Sequence, residues 1–358
     1  MSHQDQYDVI GIMSGTSLDG VDLAYCSFIR KGSRWRYTIH EANTYAYNRS
    51  WKKILSTAHQ LPGAELMKLH ALYGHYLGNL CNTFCRQYSI KKTDFISSHG
   101  HTVYHQPNHG FTFQLGDGNA IHSTSGKKVV CDFRSLDVAR GGEGAPLVPV
   151  GDHLLFSDYD VCLNLGGIAN CSMLQHKKRV AFDICFVNMT LNYLAEQVGK
   201  KYDKDGKMAS AGVVDKHLLK RLQSEYTTIR KERPSLGREI FERQIRPLLD
   251  HTSASVPDIM ATVVESIAME ISQSICDGKR KSVFCTGGGA FNAFLMYRLL
   301  DHVGDRVSLV VPETSLISFK EAVVFGLLGV LRVRNEINCL RSVTGAVQDS
   351  STGILVGF

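Results

Sequence analysis

Residues 14–20, Ser14-Gly15-Thr16-Ser17-Leu18-Asp19-Gly20, gather small side chains and hydroxyls between two apolar runs. Small side chains let phosphate oxygens approach backbone N–H groups, and hydroxyls add donors. The same composition also serves an ordinary tight turn between strands. Gly166-Gly167 is a second such turn and Gly287-Gly288-Gly289 a third. The third stands between an apolar strand and a helix, with Asn292 where a dinucleotide fingerprint wants glycine. No acidic residue closes a following strand at the distance that fingerprint needs. The Lys-bearing Walker A pattern occurs nowhere in the chain. Three glycine turns together favour a nucleotide-phosphate clamp more than any one does.

Two carboxylates and one arginine stand out beside these turns. Asp183 closes an apolar strand, which suits a general base facing a cleft and equally a helix cap. Glu321 follows Lys320 at the start of an apolar helix, where a negative charge is favourable in its own right. Arg134 follows a strand and precedes the Gly-rich run Gly141-Gly142-Glu143-Gly144-Ala145-Pro146. A guanidinium in that setting suits a carboxylate ligand or a structural ion pair. His99, His101, His105 and His109 crowd one stretch, but their spacing matches no standard zinc set. Asp203 and Asp205 lack the remaining ligands of a calcium loop. No G-x-S-x-G elbow is present, which argues against an α/β-hydrolase.

The elements that must position these residues follow from periodicity. Residues 7–13, 21–29 and 35–46 read as strands, and the first two form a hairpin around residues 14–20. Residues 51–87 space apolar side chains helically at Leu66, Leu69, Tyr73 and Leu77. Short strands are expected at 95–98 and 128–133, with the His-rich stretch as a loop. Residues 160–165, 171–174 and 179–182 form a second strand set around a glycine turn, followed by a helix at 189–198. A strand, a glycine turn and two more strands thus occur once in each half, the pattern of a structural duplication. Residues 256–277 and 320–333 read as helices, 282–286 and 307–311 as strands, and the tail as loop and short strand.

At 358 residues the chain is long for one hydrophobic core, so two domains are expected. The boundaries expected are 1–133 plus 341–358 for the first and 134–340 for the second. The formal charge of +6 is mild, and no Lys/Arg block resembles a nucleic-acid arm. The ten cysteines include no C-x-x-C pair, and no secretory segment opens the chain. Reduced thiols in a cytosol are expected. The longest apolar stretch, 323–331, is too short to span a bilayer.

Taken together, the chain resembles the anhydro-N-acetylmuramic acid kinases. The motifs that carry the resemblance are residues 11–20, Ser98-His99-Gly100, Asp132-Phe133-Arg134 and Gly144-Ala145-Pro146-Leu147-Val148-Pro149. Residues 164–170, 202–206, 237–239 and 287–292 continue it in family order over nearly the whole chain. The resemblance implies an α/β fold of two actin-like (ribonuclease H-like) domains with a nucleotide cleft between them. It implies a reaction in which water opens the 1,6-anhydro bridge of the sugar and the freed O6 takes the γ-phosphate of ATP. Asp183 would be the base and Glu321 would sit near the cleft floor. Gly15, Thr16, Ser17, Leu18, Asp19, Gly20, Gly166, Gly167, Asn170, Gly287, Gly288, Gly289 and Asn292 would hold ATP. Mg²⁺ would accompany the nucleotide near Asp19. Arg134 would meet the lactyl carboxylate, and Ser98, His99, Gly100, Thr102, Gly144, Ala145 and Pro146 would line the sugar site. The setting implied is the bacterial cytoplasm, with a small sugar as partner, neither nucleic acid nor membrane, and a homodimer as an admissible assembly.

The chain departs from the family pattern in two places. Ile184-Cys185-Phe186-Val187 stand where the family has Thr-Gly-Pro-Gly/Ala, and His101 stands where it has Gln. A left-handed backbone at Cys185 would cost about 1–2 kcal/mol, and the bulkier side chains could fill the site. The alternatives are a same-fold kinase for another sugar and a non-catalytic ATP- or sugar-binding homologue.

Overall fold

The computed structural model describes residues 5–15, 18–32 and 34–358. The chain divides into two compact units, Met1–Leu155 with Phe319–Phe358, and Phe156–Ser318. Residues 134–155 and 319–340, expected in the second domain, thus belong to unit 1. Their apolar side chains decide this: Leu147, Val150, Val323 and Phe325 share one core with Val9, Phe28 and Phe95.

Unit 1 is built on β1 (Gln6–Ser14), β2 (Gly20–Lys31), β3 (Arg34–Ala46), β4 (Phe95–Gln106), β5 (Phe111–Leu115) and β6 (Val129–Cys131). Unit 2 holds β7 (Val161–Leu165), β8 (Ile168–Gln175), β9 (Lys178–Phe186), β10 (Lys281–Thr286) and β11 (Val307–Val310), and β12 (Ile354–Val356) returns to unit 1. The first sheet runs β3-β2-β1-β4-β6-β12 with β5 paired to β4, and the second β9-β8-β7-β10-β11. In each, an antiparallel three-strand meander is followed by two strands parallel to its first member. This is the actin-like, ribonuclease H-like arrangement, present twice, as the duplicated pattern predicts.

Both faces of the first sheet are covered, so its central strands are apolar on both sides. Val9 and Phe95 pack toward the helix Thr314–Val333, and Ile10, Ile12 and Ile96 toward the helix Gly63–Gln87. Gly11 lets the first of these helices lie close, because a Cβ there would fall 2.0 Å from the Ala322 carbonyl oxygen. Gly11 of the first motif is therefore a packing glycine.

Three local expectations are corrected and one helix is added. The helix expected over 51–87 is two, Arg49–Thr57 and Gly63–Gln87. Pro62 breaks it by forcing Leu61 to extended backbone. The His-rich stretch is the second half of β4, paired with β5. The charged segment 200–249 contains the helix Lys216–Glu232, whose Leu218, Leu222, Tyr226 and Ile229 are buried. That spacing was readable beneath the charges. The helix holding Glu321 begins at Thr314, so Glu321 lies two turns inside it and its charge does not cap the helix start.

Candidate active site

In unit 1 the conformation of Gly100 decides where Ser98, His99 and His101 point. Gly100 has φ +77°, and a Cβ there would meet the Leu115 oxygen at 2.4 Å. The pairing with β1 shifts around it, from Ile12–Ser98 to Ser14–His101. Ser97 and His99 face the helix Thr314–Val333: the Ser97 hydroxyl donates to the Phe325 carbonyl, and the His99 ring lies 4.6 Å from the Phe325 ring. Ser98 points to the opposite face, with Ile96. After the shift, His101 also joins that opposite face, where its Nδ1 lies 3.3 Å from the buried Ser14 hydroxyl. Ser14 is hydrogen-bonded to the hydroxyls of Tyr47 and Tyr73 at 2.7 and 2.8 Å. Burial lowers the His101 pKa to about 4. The Thr102 hydroxyl accepts from Gln114 at 3.5 Å.

Arg134 joins His99 to the Gly-rich loop. Its Nε and Nη2 donate to His99 Nε2 at 3.0 and 2.9 Å, and Nη1 donates to the Gly144 carbonyl at 2.6 Å. His99 Nδ1 then donates to its neighbour's carbonyl, Gly100 O, at 2.8 Å. Burial, with the adjacent Arg134 charge, holds His99 well below the usual imidazole range, so it is neutral. A guanidinium has five N–H donors, and these contacts leave two for a ligand. Burial lowers the Arg134 pKa to about 10, against the pull of Glu321. Glu321 is accessible to solvent yet crowded by protein, and the crowding raises its carboxyl. Arg134 and Lys320 oppose that rise and Asp22 adds to it. Lys320 itself is paired with Asp152 at 2.8 Å.

The Gly144 loop, which runs on into Ala145 and Pro146, is held by a residue that sequence reasoning passed over. The fully buried Asp137 carboxylate accepts from Gly144 N at 2.8 Å, Cys339 Sγ at 3.0 Å and Thr344 Oγ1 at 2.9 Å. In the first hairpin, Leu18 adopts a left-handed φ of 59°, Asp19 is exposed, and Gly15 and Gly20 are half-buried. Thr16 and Ser17 lie outside the described residues.

Unit 2 brings its glycine turns together around Asn164 and Leu165. Gly287, at φ +83°, lies so close that a Cβ would meet Asn164 Oδ1 at 2.5 Å, and a Cβ on Gly289 would meet Leu165 at 2.9 Å. Gly166, Gly167 and Gly288 are less crowded, with the nearest described atoms 3.3, 4.0 and 3.5 Å from a Cβ position. The Gly166 and Gly167 carbonyls accept from Asn188 N and Val187 N, which docks the helix Asn188–Glu196 on the turn. Asn292 caps the helix Ala293–Val303 through Leu295 N and packs on Gly206. Asp203 likewise caps the chain that follows, through Met208 N and Ala209 N.

Asp183 stands in a row of polar residues across four strands. Thr286 on β10 pairs with Asn164 on β7, Asn164 with Asn170 on β8, and Asn170 with Asp183 on β9. Cross-strand partners share a face, so these four polar side chains line up on one face of the sheet. β9 runs on to Phe186, so Asp183 lies inside the strand and not at its end. Its Oδ2 accepts from Leu236 N at 2.9 Å. Burial raises its carboxyl above the usual range, and that hydrogen bond moderates the rise.

Residues 7–357 match the profile of the anhydro-N-acetylmuramic acid kinases. The chain belongs to this family. It is 34% identical to the anhydro-N-acetylmuramic acid kinase of Francisella tularensis subsp. novicida, covering 94% of this chain and 95% of that protein. The Pasteurella multocida enzyme of the same name is 34% identical, with 97% and 96% covered. That of Sulfurimonas denitrificans is 30% identical, with 97% and 98% covered.

The departures from the family pattern in unit 2 are absorbed by the core. Ile184, Cys185, Phe186 and Val187 are 4% exposed or less and pack in the unit 2 cluster, with Phe186 against Phe241. Cys185 lies in strand backbone and does not adopt a left-handed conformation, so the strain considered for it does not arise. Sequence reasoning missed Asn164, Thr286 and Asn188 as site-building residues. For Asn164 and Thr286 the signal was a polar residue at or next to the last position of an apolar run before a glycine turn.

Proposed function

We propose that this protein is an ATP-dependent kinase that opens 1,6-anhydro-N-acetylmuramic acid and phosphorylates O6, giving N-acetylmuramic acid 6-phosphate. The family match over residues 7–357 carries this reading. Water adds at the anomeric carbon as the bond from that carbon to O6 breaks. The proton of the water goes to Asp183, and O6 takes the γ-phosphoryl group as ADP departs. The raised carboxyl of Asp183 supports its role, since burial makes an Asp a stronger base, and Leu236 N–H holds only one of its oxygens.

The two N–H groups that Arg134 retains suit the lactyl carboxylate. His99, Gly144, Ala145 and Pro146 would line the sugar on that side, with Glu321 close to Arg134. Gly100 and Thr102 shape β4 beside them. The less crowded backbone at Gly166, Gly167 and Gly288 fits ATP phosphates and ribose, because a Cβ would occupy the space they need. Gly287, Gly289, Asn170 and Asn292 shape those turns, and Gly15, Leu18, Asp19 and Gly20 are the described residues of the first hairpin that would hold ATP. Bound ATP supplies the phosphoryl group, and Mg²⁺ neutralises its charge. Among the described residues no group of three His, Cys, Asp or Glu is placed to hold a metal. Mg²⁺ needs only one or two carboxylates beside the phosphates, and Asp19 would serve. The setting we assign is cytoplasmic recycling of cell-wall sugar. The test is incubation of the folded protein with ATP, Mg²⁺ and the anhydro sugar. N-acetylmuramic acid 6-phosphate is expected, and its absence overturns the reading.

A further inference from the structure

Ser98 alternates with His99 along β4, and its hydroxyl is buried, 1% exposed, without a hydrogen-bond partner among the described residues. A buried hydroxyl left unpaired is costly. It lines a pocket of about 310 Å³ beside the middle of β4, β5 and the end of β6, bordered by the helices Gly63–Gln87 and Gly118–Ser125. Two carboxylates line the same pocket. Asp117 Oδ1 accepts from Asn119 N at 2.7 Å, and Asp132 Oδ1 accepts from Ser135 N and Oγ at 3.2 and 2.6 Å.

No Lys or Arg lines this pocket. Its basic side chains are His70 and His99, and burial lowers both. His70 Nδ1 accepts from Gly116 N at 3.1 Å, so its proton sits on Nε2 as a neutral donor. The ionised side chains of the pocket are therefore its two carboxylates, while His99, which also borders it, receives Arg134. One wall is apolar, made by Met67, Phe113, Ile354 and Val356, while Asn119 and Gln114 add amides. A metal is a poor occupant, because no three ligating side chains converge among the described residues. A small ring with hydroxyls, one apolar face and a positive charge matches every wall.

We propose that this pocket binds a hexosamine bearing a free ammonium group, with the ammonium at Asp117 and Asp132 and a ring hydroxyl at Ser98. It takes a cationic sugar, whereas the Arg134 side is suited to an anionic one. An acidic muramic sugar would place its carboxylate against two others and be rejected.

Calorimetric titration of the full chain with glucosamine at about pH 6, where an amine is protonated, tests this. Glucosamine is expected to bind equally with and without saturating 1,6-anhydro-N-acetylmuramic acid. N-acetylglucosamine, lacking the charge, should bind at least about tenfold more weakly, and N-acetylmuramic acid weaker still. Asp117→Asn with Asp132→Asn keeps the cap acceptors, and Asn tolerates the left-handed φ of 54° at Asp132. This pair should weaken glucosamine at least about tenfold. Should the pair fail to fold, Met67→Trp, at a half-exposed wall position, should block binding instead. No binding by the wild type, displacement by the anhydro sugar, or unchanged affinity in the variants overturns the proposal. Each readout is binding, so failure here leaves the kinase assay unaffected, and a failed kinase assay leaves this result standing.

Discussion

Arg134 and His99 form a fixed pair in which two guanidinium N–H groups converge on one imidazole nitrogen, at 3.0 and 2.9 Å. The pair aims the remaining donors of Arg134 and keeps His99 in a single tautomer. Arg134→Lys retains the charge but loses the planar fork. It should raise the KM for the anhydro sugar by on the order of 10–100-fold, with a smaller change in kcat. Steady-state kinetics at varied sugar checks this, and an unchanged KM removes Arg134 from the sugar site.

Asp183→Asn removes the proposed base while keeping its shape. Turnover should fall by on the order of 10²–10⁴. In the wild type, the rate should fall with decreasing pH at a higher pH than an ordinary Asp would give, because burial raises its carboxyl. A pH–rate profile with its acid limb at the ordinary Asp value would assign the base elsewhere.

The glycines of the third turn should separate by function. A Cβ at Gly287 meets Asn164 and Leu165 and must also accept φ +83°. Gly287→Ala should therefore destabilise the protein by about 2–4 kcal/mol, measured by urea unfolding. A Cβ at Gly288 meets only Asn188 Nδ2, at 3.5 Å. Gly288→Ala should leave stability within about 1 kcal/mol while raising the KM for ATP. Equal destabilisation by both would contradict this division.

Asp137→Ala would strand the Gly144 N–H and the Cys339 thiol, and would leave the Thr344 hydroxyl only the Leu340 carbonyl at 3.4 Å. A loss of at least about 2 kcal/mol is expected, together with a raised KM for the sugar, since the Gly144 carbonyl also receives Arg134. Denaturant midpoints and kinetics report the two effects separately.

His101 gives stability a pH dependence. Its folded pKa of about 4 lies below the ordinary 6.5, so between these values the unfolded chain binds more protons. Stability is then full above pH 6.5 and falls by up to about 3 kcal/mol as pH drops toward 4. His99, also depressed, acts in the same direction. Thermal unfolding of wild type and His101→Gln across this range should show a shallower acid loss in the variant.

The order of the motifs, the duplicated strand–turn–strand pattern and the helical spacing along Leu66, Leu69, Tyr73 and Leu77 were legible from the residues alone. These are local properties, written as periods of two and 3.6 along the chain. What the residues could not say is which face of a strand meets which neighbour. One left-handed glycine, Gly100, shifts the pairing with β1 and so decides where Ser98, His99 and His101 stand. Sheet register lines up Asp183, Asn170, Asn164 and Thr286, and close packing turns Asn292 and Asp203 into caps. Asp137 finds Cys339 and Thr344 more than two hundred positions away. Such partners are chosen by three-dimensional packing, where hydrogen bonds of buried groups must be completed by whatever the fold brings near, and no local pattern encodes that choice.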